Sequence, residues 1–292
     1  MAGPATAGSV REALAGATDA LRAAGIEEAR FDAEVLLEHA TEWGREKLAA
    51  EPDARVPAAE GRRFAEMVRR RVRREPVAYI VGVKWFRNIE LAVDHRVLIP
   101  RPETEMLVEL ALELRPDRAL DVGTGCGAIA LAIADELPRC EVVATDTSPG
   151  ALEVARVNAE RLGLAARVRF LEASVPEGEE FDLVVGNLPY VAEPDWASLQ
   201  PEVTEWEPRE ALLAGRDGLD VIRDLLPGCV CCLRRDAKGE ANGDGVLALE
   251  VGEGQAAKVA EMMREAGLAE VDTRADLSGI PRIVIGRRGA PA

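Results

Sequence analysis

No run of this 292-residue chain approaches the ~20 consecutive apolar residues that a membrane helix requires. Met1 to Ser9, small residues without a basic start or an apolar centre, does not read as a secretory leader, and none is expected. Cysteine is sparse, and its five positions (Cys126, Cys140, Cys229, Cys231, Cys232) form an odd, irregular set. A disulfide framework is therefore not expected, and a reducing cytoplasm fits best. Basic charge is in deficit: 36 Lys and Arg stand against 52 Asp and Glu, a net charge of −16. Such a surface argues against a broad grip on nucleic-acid phosphates.

What is present is an ordinary globular balance, 48% hydrophobic and 30% charged, in a length that suggests two domains. The acidity is uneven. Met1 to Lys84 is neutral overall, and the remainder carries the whole net charge. Apolar residues recur at helical spacing over Ser9 to Gly25, Glu28 to Ala50 and Pro57 to Arg74, with Pro52, Pro57 and Pro76 as punctuation. A small helical bundle over residues 1–76 is predicted. Its last helix carries Arg62, Arg63, Arg69, Arg70, Arg71, Arg73 and Arg74, either a solvated face or a dock for an acidic partner. Residues 77–105 read as a hairpin, Val83 to Phe86 with Ile89 to Val93, and a proline-stiffened linker that lets a helix begin at Thr104.

Over residues 106–292 strand and helix patterns alternate. Strands are expected at Ala119 to Val122, Glu141 to Thr145, Val168 to Leu171, Phe181 to Val185 and Gly245 to Val251, with two more at Ala269 to Thr273 and Arg282 to Gly286. Helices are expected at Ala128 to Glu136, Gly150 to Leu162 and Ala256 to Ala266, and a surface loop over Arg234 to Gly245. This α/β alternation specifies a Rossmann-like, doubly wound parallel sheet.

Asp121-Val122-Gly123-Thr124-Gly125-Cys126-Gly127 leaves the first of these strands and opens a helix, so its glycines let a ligand approach free backbone amides. The third glycine follows the second by two residues, where the dinucleotide fingerprint has three. The Asp two residues before the first glycine is also the pattern of S-adenosylmethionine enzymes. Its carboxylate would orient the loop or meet a ligand ammonium. Asp146 ends the next strand, where a carboxylate can accept both hydroxyls of a ribose; the plain alternative is a cap on the following helix.

Asn187-Leu188-Pro189-Tyr190 follows the fourth strand, at the sheet edge where open α/β proteins bind ligands. An amide or exocyclic amine is a poor nucleophile, since its lone pair is delocalised. A site that accepts both N–H bonds can hold that nitrogen in line with a methyl carbon and stabilise the charge that develops. The Asn187 side-chain carbonyl and the Leu188 backbone carbonyl would be the acceptors, and the Tyr190 ring a face for the planar group. No strong base is needed, in keeping with only two histidines, His39 and His95.

These segments together resemble the release-factor glutamine methyltransferases. The resemblance runs through Val97 to Glu105 (VLIPRPETE), Asp121 to Leu131, Ser148 to Asn158, Glu202 to Leu219, Glu250 to Gln255 (EVGEGQ) and Asp276 to Arg287. It implies a class I S-adenosylmethionine-dependent methyltransferase domain behind a helical substrate-recognition domain. It implies N5-methylation of the glutamine in the Gly-Gly-Gln motif of class 1 peptide chain release factors, hence a part in translation termination. S-adenosyl-L-methionine would be held by Asp121, Gly123, Thr124, Gly125, Cys126, Gly127, Asp146, Ser174 and Asn187, and S-adenosyl-L-homocysteine released. Two positions depart from the family. Leu188 replaces the usual first proline of Asn-Pro-Pro-Tyr, giving the Asn-Leu-Pro-Tyr form of ribosomal RNA adenine dimethyltransferases. Ser174 stands near where an aspartate commonly meets adenine.

The rivals are an N6-adenine methyltransferase on RNA or DNA, a glutamine methyltransferase acting on a ribosomal protein, and a non-catalytic nucleotide-binding protein. Acidity disfavours the first, the N-terminal region and linker the second, and the intact site the third. No nucleic acid, membrane or metal is expected as a partner. Cys229, Cys231 and Cys232 lack a second ligand pair and read as buried thiols.

Overall fold

A computed structural model describes residues 8–235 and 244–289, in two compact units. Most of the predicted Arg234 to Gly245 loop lies outside the described residues.

The first unit comprises Met1–Gly82 together with Gln200–Trp206. Its helices are α1 (Val10–Ala23), α2 (Ala29–Thr41), α3 (Arg45–Ala50), α4 (Ala58–Val72) and α5 (Val77–Val81). Ser9 starts α1 with a capping box: its hydroxyl accepts from Glu12 N, and its own N–H donates to the Glu12 carboxylate. Val10, Leu14, Ala17 and Leu21 then repeat on one face and pack with Ala33, Leu36 and Leu37 of α2 and Phe64 and Met67 of α4. Each fully buried leucine contributes about 1.5–3 kcal/mol. The predicted single helix from Glu28 to Ala50 is two, because Glu42 turns left-handed at φ 57° and the chain restarts at Gly44.

The arginine stripe of α4 is largely spent inside this unit. Arg69 pairs with Glu66 and Arg70 with Glu75. Arg71 is buried between Asp32 (2.7 Å) and Glu202 (2.7 Å), and Arg74 also reaches Glu202 (2.7 Å). Glu202 belongs to a short helix from much later in the chain, α9 (Pro201–Trp206). The stripe is therefore internal stitching more than a free basic dock.

The second unit, Val83–Leu199 with Glu207–Ala292, begins with the hairpin β1 (Val83–Phe86) and β2 (Ile89–Ala92). The hairpin groups with this unit instead of standing apart as a linker. Asn158 bonds both backbone groups of Ala92, and Arg87 pairs with Glu136. Next come α6 (Glu105–Leu114), β3 (Arg118–Val122), α7 (Ala128–Glu136), β4 (Glu141–Asp146), α8 (Pro149–Arg161), β5 (Val168–Glu172) and β6 (Leu183–Gly186). After α9 follow α10 (Asp220–Cys231), β7 (Val246–Glu250), α11 (Ala256–Glu265), β8 (Leu268–Ala275) and β9 (Pro281–Arg288). The strand order is β5-β4-β3-β6-β7-β9-β8, parallel through β7 and antiparallel at β9 and β8. Wholly buried strands such as β7 carry continuous apolar runs, as a sheet covered on both faces demands. Helix α10, which was not predicted, runs through Pro227 and buries Cys229; Cys232 beyond it is buried and Cys231 exposed.

The order reverses between β3 and β6, the switch point at which such sheets open a crevice. Register then decides which residues meet there. Val122 lies opposite Thr145 on one side and Gly186 on the other, and Gly186 opposite Leu249. The next residues along each strand, Asp146, Gly123, Asn187 and Glu250, therefore leave the carboxyl edge in a row.

Candidate active site

The loop after β3 is built from left-handed glycines: Gly123, Gly125 and Gly127 have φ of 73°, 58° and 88°. A Cβ on Gly127 would stand 2.9 Å from the Leu131 side chain, whereas one on Gly125 would meet nothing within 4 Å and would fill open space. Thr145 O accepts from the amides of Gly123 and Thr124, both at 2.9 Å. Asp146 accepts from Gly125 N (2.9 Å) and Ser148 N (2.8 Å), one bond on each oxygen. The helix that follows is capped by Ser148, whose hydroxyl takes Ala151 N, so Asp146 is a loop anchor and not the cap.

Asp121 lies beneath the loop, fully buried. One oxygen accepts from the Thr124 hydroxyl (2.6 Å) and from Ala130 N (3.2 Å); the other has no partner among the described residues. Burial, which disfavours the charged form, pushes its carboxyl up to about 7. Asp121 thus ties the loop to the first turn of α7. Cys126 is buried as well, its thiol pushed up to about 12, and its carbonyl accepts from Asn158 Nδ2 (2.9 Å).

A cavity of about 320 Å³ opens over this edge, a fair size for a nucleoside-like ligand. Among the sequence-predicted residues, Gly123, Gly125, Asp146, Ser174, Asn187, Leu188 and Pro189 line it. Asp121, Thr124, Cys126, Gly127 and Tyr190 stand behind that wall. Sequence reasoning missed Val97, Leu98, Glu210 and Asp224 in the lining. Val97 and Leu98 begin the Ile-Pro-Arg-Pro segment and Glu210 falls in the Glu202 to Leu219 segment, but Asp224 carried no signal. A groove of about 430 Å³ along β8 and β9 is larger, but none of these groups reaches it.

Leu188 is 2% exposed, and its side chain packs close to Gly123 and Gly186. It supplies apolar support where the family's proline would supply rigidity. Asn187 donates from Nδ2 to Thr104 Oγ (3.0 Å), and the Thr104 hydroxyl donates to Glu250 (2.7 Å). The Tyr190 hydroxyl lies 3.4 Å from the other Glu250 oxygen, and Gln255 Nε2 holds the Tyr190 carbonyl (2.9 Å). Desolvation pushes the Tyr190 phenol up to about 12, so it stays protonated. Among the described residues no His, Cys, Asp or Glu cluster is placed to hold a metal ion.

A glycine loop after β3, a carboxylate ending β4 and an asparagine ending β6, on a sheet of this order, define a class I S-adenosylmethionine-dependent methyltransferase. A general methyltransferase domain model matches residues 119–206, and a model of the PrmC N-terminal domain matches residues 12–82. The chain is 41% identical over 286 residues to a release factor glutamine methyltransferase of Geobacter sulfurreducens, covering 96% of this chain and 97% of that protein. Its identity to the one from Cereibacter sphaeroides is 40% over 280 residues, covering 94% and 97%. Among solved structures, the hMettl16 catalytic domain bound to a MAT2A 3'UTR hairpin shares the fold alone. Its TM-score is 0.54 at 15% identity, over 68% of this chain and 76% of that one. The chain belongs to the release factor glutamine methyltransferase family.

Proposed function

We propose that this enzyme methylates the side-chain amide nitrogen (N5) of the glutamine in the Gly-Gly-Gln motif of class 1 peptide chain release factors, in the cytoplasm. The observation that carries the reading is near-full-length identity, through both compact units, to enzymes named for that activity. The helical unit, rather than the sheet, would recognise the factor. No helix among the described residues is long and apolar enough to cross a membrane.

The residues fit S-adenosyl-L-methionine. Gly125 leaves room against the backbone, and Asp146 keeps lone pairs beyond its two backbone bonds for ribose hydroxyls. When bound, that group supplies a methyl carbon on a sulfonium, and the thioether S-adenosyl-L-homocysteine is left after transfer. Gly123, Gly125, Asp146 and Ser174 would hold it, with Asp121 and Thr124 fixing the loop from below. The Asn187 Oδ1 and the Leu188 carbonyl would accept the two N–H bonds of the glutamine amide. Positive charge on the attacking nitrogen makes those N–H groups better donors, so both bonds strengthen in the transition state. The amide proton then departs to solvent, which suits a site without a strong base.

The charges lining the cavity disfavour a nucleic-acid substrate. Asp146, Glu210 and Asp224 line it, and Arg96, the one arginine there among the described residues, is already engaged by Asp94 and Glu153. The test uses labelled S-adenosyl-L-methionine with a release factor and with the same factor whose Gly-Gly-Gln glutamine is replaced. Label is expected on the first only. Equal labelling of both refutes the target.

A further inference from the structure

We infer that Glu250, acting through Thr104, sets the orientation of the Asn187 side-chain amide, and is therefore a positioning residue for methyl transfer. The inference rests on the proposed reaction and adds two residues, Thr104 and Glu250, that do not line the cavity.

The number of protons available fixes the orientation. Thr104 has a single hydroxyl proton, and Glu250 Oε2 lies 2.7 Å from that oxygen. A carboxylate only accepts, so the proton must point to it. The Thr104 oxygen is then left as an acceptor, 3.0 Å from the Asn187 amide. Only the Nδ2 end of the amide can satisfy it; a flipped amide would set two acceptors face to face. Asn187 Oδ1 is thereby turned away from Thr104, free to accept from a substrate N–H. The second oxygen of Glu250 faces the Tyr190 hydroxyl at 3.4 Å, so one buried side chain steers both the acceptor and the ring.

Thr104 is 3% and Glu250 2% exposed, and no water shell competes with this chain of bonds. Three separate segments build it. Thr104 ends the 3-10 turn Pro102–Thr104, Asn187 follows β6, and Glu250 is the last residue of β7. If Glu250 takes up a proton it becomes a possible donor to Thr104, and the reason for one amide orientation disappears. The flipped population would present Nδ2 to a substrate N–H, donor against donor.

Burial, foremost, pushes the Glu250 carboxyl up to about 7, and the charge of Glu103 adds to it. Arg282 and the Thr104 and Tyr190 hydroxyls face it with the opposite effect. The ionised form is the orienting one, so turnover should be present above this value and lost as pH falls through it.

The experiment compares full-length wild type with Glu250→Gln, Thr104→Val and Thr104→Ser, using a release factor as substrate. Glu250→Gln and Thr104→Val should lower kcat about 10- to 100-fold, the worth of one hydrogen bond to developing charge. KM and S-adenosyl-L-homocysteine affinity by calorimetry should stay within about threefold. Thr104→Ser should restore most of kcat, and Glu250→Gln should lose the acid limb of the kcat profile. Unchanged kcat with the acid limb intact in both Glu250→Gln and Thr104→Val overturns the inference. A second readout needs no substrate. The Asn187 side-chain amide resonances, assigned by their loss in Asn187→Ala, should move with pH near 7 in wild type and stay still in Glu250→Gln. Absence of that titration overturns the inference whatever the enzyme methylates. Failure of wild type to label the factor overturns only the target.

Discussion

Replacing Asn158 by alanine removes three hydrogen bonds at once, one buried and two part-buried. Its Oδ1 accepts from Ala92 N at 2.7 Å, while its Nδ2 donates to Ala92 O at 3.0 Å and to Cys126 O at 2.9 Å. Asn158 itself is fully buried, and Cys126 with it, so the Cys126 carbonyl is left without a partner. A buried hydrogen bond contributes about 1 kcal/mol net, and each polar group left unpaired costs a further ~1–3 kcal/mol. Some relaxation is expected, which puts the loss near 3–5 kcal/mol. That is a large share of the ~5–15 kcal/mol that holds a domain together. Because Cys126 sits in the glycine loop, S-adenosyl-L-homocysteine affinity should fall too, by about three- to tenfold for an effect near 1 kcal/mol. Urea unfolding measures the first effect and calorimetry the second. Asn158→Asp is the sharper companion, since it keeps the acceptor for Ala92 N but sets a second oxygen against two carbonyls. Its native pKa should be raised, so the variant should be least stable at pH 8 and recover as pH falls. A loss under ~1 kcal/mol for Asn158→Ala, with unchanged ligand affinity, would refute the role assigned here.

Asn187→Ala should nearly abolish turnover while S-adenosyl-L-homocysteine affinity falls much less; turnover near wild type would refute the acceptor role. Leu188→Pro keeps the carbonyl but loses a buried leucine side chain that packs close to the glycine loop, so about 1–3 kcal/mol of stability should go, read from urea midpoints. Unaltered midpoints would mean that leucine packing is dispensable. The Asp121 carboxyl is raised from 3.8 to about 7, so the folded chain binds more protons than the unfolded one between those values. Stability should therefore be highest in acid and decline as pH rises through that window, by as much as ~3 kcal/mol between pH 5 and 8. Asp121→Asn should flatten that decline in urea unfolding, and an unchanged slope would count against the burial argument.

The glycine loop, Asp146 and Asn187 were legible because each sits at the end of a strand whose apolar run is visible in the sequence. The hairpin and the two final strands were legible for the same reason, but the antiparallel direction of the final pair was not. Thr104 and Glu250 were not, although both lie in family segments, since the register of β6 with β7 brings Glu250 beside Asn187 while Thr104 comes to both from a separate segment, and no local pattern encodes either. Asn158 reads as one more polar residue on a helix until Ala92 and Cys126 are brought to it. The arginines of α4 announced charge but not its partners, for Asp32 and Glu202 come from distant segments. Helix α10 was hidden by Pro227 and Gly228, which interrupt its pattern, and Glu42 split a helix that periodicity alone would continue.

The first compact unit is discontinuous: a hexapeptide helix inserted far downstream completes it. The PrmC N-terminal domain match ends at residue 82, and a gene fragment cut there would omit Glu202. On that fragment the buried Arg71 would keep only Asp32 of its two carboxylates, and Arg74 would lose Glu202. Grafting or swapping this module between enzymes therefore requires transplanting two stretches of sequence together, Met1–Gly82 and Gln200–Trp206. Insertions that keep the first stretch intact but disturb the second would be expected to unsettle the helical unit from within the stretch of chain that otherwise builds the sheet unit.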